Sequence, residues 1–100
     1  MRRDTIAAIA TPSGRGGIGV IRVSGPDSLE IARAISNKEP EPRIAHYRKF
    51  HNPEGMEIDN GILIYYPGPH SYTGEDVIEL QGHGGPVVLG MLIKAVCSLG

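Results

Sequence analysis

Cysteine is almost missing from this 100-residue chain, where Cys97 stands alone. No internal disulfide can form, and a reducing, cytoplasmic setting is the expectation that follows. A dominant charge is missing as well, since ten Lys and Arg set against eleven Asp and Glu leave a formal net charge of −1. A bulk electrostatic footprint for nucleic acid needs a clearly basic domain, so the composition counts against that class. Long apolar runs are lacking too. Asp4 and Thr5 follow Met1-Arg2-Arg3 where a signal peptide would begin its h-region, and no stretch approaches a membrane span, so no membrane association is expected. His46, His51, His70 and His83 have no zinc-like spacing, and neither a second cysteine nor a carboxylate triad joins them, so no metal site is expected. The lone Cys97 lies in an apolar helical stretch without a nearby histidine, and is expected to pack in the core.

Forty per cent apolar residues support one core, in a chain too short for more than one domain. Residues 92–100 read as mid-helix, which points to a piece of a longer protein. Residues 5–10 predict a first strand and residues 18–23, rich in β-branched side chains, a second. The glycine-rich loop between them makes an antiparallel pair the simplest arrangement. In the second strand Val20, Arg22 and Ser24 share one face, and Ile21 and Val23 the other. Asp27 or Ser24 is a candidate N-cap for a helix carrying Leu29, Ala32 and Ile35 and running through Ser36. Residues 44–50, exposed on one side at Arg48 and Lys49, and residues 58–66 predict a hairpin around the turn Asn52-Pro53-Glu54-Gly55. Residues 76–81 form a fifth strand, and Pro86 opens a closing helix that is apolar on nearly every side. The expected fold is α+β, in the order β2-α-β3-α.

Residues 14–19 match G-x-G-x-x-G, the dinucleotide fingerprint, but that reading needs the last glycine to open a helix. Here Val20-Ile21-Arg22-Val23 follows, which is strand-like, so the match is rejected. No P-loop motif occurs. The stretch that organises the chain is 67–86, PGPHSYTGEDVIELQGHGGP, a turn-rich loop, a short apolar strand and a glycine cluster. Glu79 sits in the middle of that strand, as Arg22 sits in the middle of the second. A charge in such a position needs a partner or a ligand, because burying it alone costs several kcal/mol or more. Either the two pair or face solvent on a half-exposed sheet, or they form a small-molecule site with one cation and one carboxylate. In the second case the carboxylate accepts two parallel bonds from an amidine-like edge, such as that of a pterin or purine, and the guanidinium forks onto an anion. His83 is either a backbone-bonded structural histidine or a lining residue beside Glu79. Tyr66 and Tyr72 are candidates to stack on a planar ring. Nothing assembles a nucleophile, a base and an oxyanion hole, so the chain reads as one that binds, with no catalytic residue assigned.

Two stretches carry a resemblance to a known family. Residues 4–19, DTIAAIATPSGRGGIG, continue into Ile21-Arg22-Val23-Ser24-Gly25. Residues 67–69 and 71–86, PGP and SYTGEDVIELQGHGGP, follow in the matching order. Together they resemble the N-terminal region of the MnmE (TrmE) family of tRNA modification GTPases, over the whole chain. The resemblance implies an incomplete N-terminal domain, similar in fold to the folate-binding domain of the glycine cleavage T-protein, that binds a reduced folate (5-formyl- or 5,10-methylene-tetrahydrofolate) and forms a homodimer. It implies folate contacts at Arg22 and Glu79, with Gly16, Gly17, Gly19, Gly82 and His83 bordering the same pocket. It also implies a parent protein whose helical and GTPase domains, with GTP, Mg and K, lie outside this chain. That parent would act on the wobble uridine of certain tRNAs in a heterotetramer with MnmG, an FAD- and NADH-using partner. This piece alone would then not be catalytic. A purely structural dimerisation module and a folate-dependent one-carbon transferase domain are the alternatives.

Overall fold

Burial alternates strictly along residues 19–24, with Gly19, Ile21 and Val23 inward and Val20, Arg22 and Ser24 half-buried on the opposite face. This period of two fixes a sheet with one covered and one open side. The computed structural model describes residues 5–10, 19–71, 73–83 and 86–99. In chain order its elements are β1 (Ile6–Ile9), β2 (Gly19–Ser24), α1 (Ser28–Ser36), β3 (His46–His51), β4 (Glu57–Tyr66), β5 (Val77–Gly82) and α2 (Pro86–Leu99). The expected α+β order is therefore the observed one. The strands form one sheet in the order β1-β2-β5-β4-β3, each neighbouring pair antiparallel. Both helices pack on the same face and touch each other. Ile31, Ala32 and Ile35 of α1 meet Leu89, Leu92 and Val96 of α2 over Ile21, Val23, Leu63, Ile78 and Leu80. No helix among the described residues is long and apolar enough to cross a membrane.

The β3–β4 turn is closed as its sequence demands. Asn52 accepts from the Gly55 N–H at 2.9 Å through its carbonyl and from the Met56 N–H at 2.8 Å through its side chain. Gly55 takes φ +87°, which a residue without Cβ adopts freely. At the other hinge, α1 follows β2 directly. Asp27 stands at the N-cap but makes no side-chain cap bond, and Ser24 directs its hydroxyl to Thr73 at 2.7 Å, so neither expected side-chain cap forms. The Asp27 N–H instead donates to the Thr5 hydroxyl, and the buried Ser28 hydroxyl lies 2.9 Å from the carbonyls of both Gly25 and Asp76. Asn37 ends the helix at φ +59°, a left-handed C-cap position that asparagine tolerates.

Two further expectations are corrected. β3 is exposed on one side as expected, but that side carries Tyr47 and Lys49: consecutive strand residues point to opposite faces, and Arg48 lies half-buried on the Phe50 side. Cys97 is exposed rather than packed in the core. Leu89, Leu92, Ala95 and Val96 supply the inward stripe of α2, and the next residue is rotated about 100° away from Val96.

Candidate functional site

Arg22 and Glu79 stand directly opposite each other in the β2–β5 register. Side chains so placed are neighbours on one face. Arg22 Nη2 donates to Glu79 Oε2 at 3.1 Å, and Gln81 Nε2, two residues along the same face, donates to Glu79 Oε1 at 2.8 Å. Both carboxylate oxygens are therefore engaged. The Glu79 side chain is only 9% exposed, whereas Arg22 keeps 35% of its side chain in solvent. The first reading of these charges, mutual pairing, is what the geometry displays, and it also presents a cation and a carboxylate side by side.

The surroundings follow from register. Ala8 lies beside Arg22 and Ile64 beside Glu79, giving a row Ala8-Arg22-Glu79-Ile64 across four strands. The neighbouring rows are Val20-Gln81-Ile62-Tyr47 and Ile6-Ser24-Val77-Tyr66. A charged and amide centre is thus framed by apolar side chains, two of which, Ile6 at 65% and Tyr47 at 61%, are largely in solvent. Three cavities occupy other places: about 300 Å³ between the β3–β4 turn and α2, about 250 Å³ beside Pro26 and Asp76, and about 480 Å³ by Arg43, Tyr66 and His70. None of the three includes Arg22 or Glu79. The pair occupies the open sheet face as a platform.

The other expected site residues divide. Gly19 and Gly82 are buried partners at the end of the β2–β5 ladder. Gly19 opens a strand, which agrees with rejection of the dinucleotide fingerprint. Gly16, Gly17 and Tyr72 fall outside the described residues. Tyr66 shares the open face with the pair, beside Val77. His83 is bound to Asp59: its backbone N–H donates to Oδ2 at 2.8 Å, and its Nδ1 lies 2.6 Å from Oδ1. The ring is 67% exposed, and its bond goes to Asp59, not to Glu79. Burial raises the pKa of Asp59, but the bonds from the His83 backbone and ring and from the Asn60 backbone outweigh it and hold the carboxyl below its ordinary value. Gly82 makes this seat possible, because a Cβ there would stand 2.4 Å from Asp59 Oδ2.

Sequence reasoning missed Asp59 and the role of Gln81. The available signal for Asp59 was weak, an acid between Ile58 and Asn60 at the polar start of β4, with Glu57 two residues before it.

A family model described as "GTP-binding protein TrmE N-terminus" matches residues 5–100. The chain is 60% identical over 98 residues to a protein of Stutzerimonas stutzeri named tRNA modification GTPase MnmE, covering 98% of this chain and 22% of that protein. Proteins of the same name from Saccharophagus degradans and Marinobacter nauticus are 61% and 59% identical, covering 97% of this chain and 21% of each. The chain thus spans about a fifth of the length of the curated relatives it matches.

Proposed function

Because this chain belongs to the family described as the TrmE N-terminus, we propose that it is the N-terminal domain of a tRNA modification GTPase, binding a reduced folate on the Arg22–Glu79 platform and pairing with a second copy of itself. The observation that carries the folate reading is the Arg22–Glu79–Gln81 cluster on the open sheet face. The pyrimidine edge of a reduced folate offers adjacent N–H donors. Glu79 has two oxygens, now receiving Arg22 and Gln81, that suit such a pair, and Arg22 beside it would orient the ring system. The donor set therefore fits the group. Bound there, the folate would supply a one-carbon unit; the chain's own residues bind and orient it. The apolar frame of Ile6, Tyr47, Ile62 and Ile64 supports the self-pairing half of the proposal, since such a face gains from being covered. GTP hydrolysis with Mg and K, the partner MnmG and the tRNA substrate belong, in this reading, to the parent protein and its complex.

Calorimetric titration with 5-formyltetrahydrofolate tests the platform. Glu79→Ala is expected to weaken binding about tenfold or more, since a charge-assisted hydrogen bond contributes about 1.5–3 kcal/mol. Equal affinity in the variant would remove Glu79 from the site. Light scattering on the same samples tests the self-pairing separately.

A further inference from the structure

Arg43 is an exposed residue held in an uncommon backbone state, φ +62°. A bulky side chain keeps a positive φ only where its surroundings over-determine it. Two anchors do so here. Pro42 makes a parallel bridge to Tyr65, with the Arg43 N–H donating to the Tyr65 carbonyl at 2.8 Å. From the same residue, Nη2 donates to the carbonyls of Pro67, at 3.2 Å, and His70. The guanidinium thus grips the first half of the loop that joins β4 to β5.

The second half of that loop reaches the platform. Thr73 is hydroxyl-bonded to Ser24, which shares its face with Arg22 and stands opposite Val77 in the ladder. Val77 shares its face with Glu79 and is fully buried. The loop therefore crosses the sheet at the Ser24–Val77 end, one strand step from the ion pair. Its base is closed by the Gly68 N–H donating to Asp76 Oδ1 at 2.9 Å and by the Ser71 hydroxyl donating to the Glu75 carbonyl. At its β5 end the loop is tied down through the Asp76 carbonyl, which accepts from the Gly25 N–H and the Ser28 hydroxyl at 2.9 Å each. Farther out, the Ser24–Thr73 hydroxyl pair is neutral and exposed, while Arg43 supplies a charged donor to two carbonyls.

We propose that Arg43 is a positioning residue for the platform: it holds the described residues of the β4–β5 loop, 67–71 and 73–76, across the Ser24–Val77 end of the sheet and so fixes the wall against which a ligand on Arg22 and Glu79 is seated. The proposal rests on reading the platform as a ligand site, and two independent measurements separate the two ideas. Arg43→Gly is the informative variant, because glycine adopts a φ of this kind without strain and the backbone bridge to Tyr65 survives while the guanidinium is lost. Amide hydrogen exchange in residues 68–75 is expected to speed up about tenfold or more, with the thermal midpoint held. The dissociation constant for 5-formyltetrahydrofolate is expected to rise about tenfold, with Arg43→Lys between the variant and the parent. Unchanged loop exchange would overturn the proposal, as would faster exchange with unchanged affinity. A collapse of the thermal midpoint would make Arg43 a purely structural residue and overturn it too. Failure of the unsubstituted chain to bind folate would overturn the platform reading, and loop exchange would then decide alone whether Arg43 is the clamp.

Discussion

Glu79 is a carboxylate that the fold has taken most of the way out of water, and its charge is tolerated because Arg22 and Gln81 each reach one oxygen. The costs of making and breaking such a pair are unequal. Removing the cation leaves a poorly solvated anion, whereas replacing both groups by apolar ones of similar size removes the problem altogether. Arg22→Met is therefore expected to destabilise the chain by about 1–3 kcal/mol, discounted from the fully buried case because Arg22 is partly solvated. Arg22→Met with Glu79→Met is expected to recover most of that loss in urea denaturation, and a double variant less stable than the single one would contradict this account. The individual charges were legible in the sequence as oddities in apolar runs. Their pairing was one of the readings the sequence offered, but the register that brings them opposite each other was not legible, because register between strands so far apart in the chain depends on every residue in both ladders.

At the scale of elements, the β4–β5 pairing depends on one small residue. A Cβ on Gly61 would lie 1.9 Å from the Gln81 carbonyl oxygen, a contact with backbone that no side-chain adjustment relieves. Gly61→Ala is expected to force the two strands apart and cost about 3 kcal/mol or more, read as a lowered midpoint in thermal or urea unfolding. It should also weaken folate binding, because β5 carries Glu79 and Gln81. Alternation of side chains placed β2 and its two faces from sequence alone, and the Asn52–Gly55 turn placed the hairpin. The phase of α2 escaped that reasoning. Where nearly every position is apolar, periodicity carries no signal, and only packing shows that Val96 turns inward while Cys97 and Val87 turn out.

For the molecule as a whole, acid is the condition that tests its polar seams. Asp59 has a folded pKa below its ordinary value, so its contribution is present above the unfolded value, near 4, and fades as pH falls through the lowered folded one. In Asp59→Asn the amide can no longer accept both bonds from His83. Stability near neutrality should drop by about 1–3 kcal/mol. The gap between variant and parent should narrow as pH is lowered from 5 to 2, and a gap of constant size across that range would show that the carboxylate's charge is irrelevant. His83 was singled out in the sequence, but its partner lies on another strand and is reached only because Gly82 has no side chain in the way.

The sheet order puts β5 between β2 and β4, although β2 ends at Ser24 and β5 begins only at Val77. The opening hairpin is consequently stitched to the rest of the sheet along a single seam, and that seam carries the ion pair. A small molecule straddling it would act as a rivet between the first strands and the last, so that occupancy of the platform would be felt as resistance to unzipping of the whole sheet.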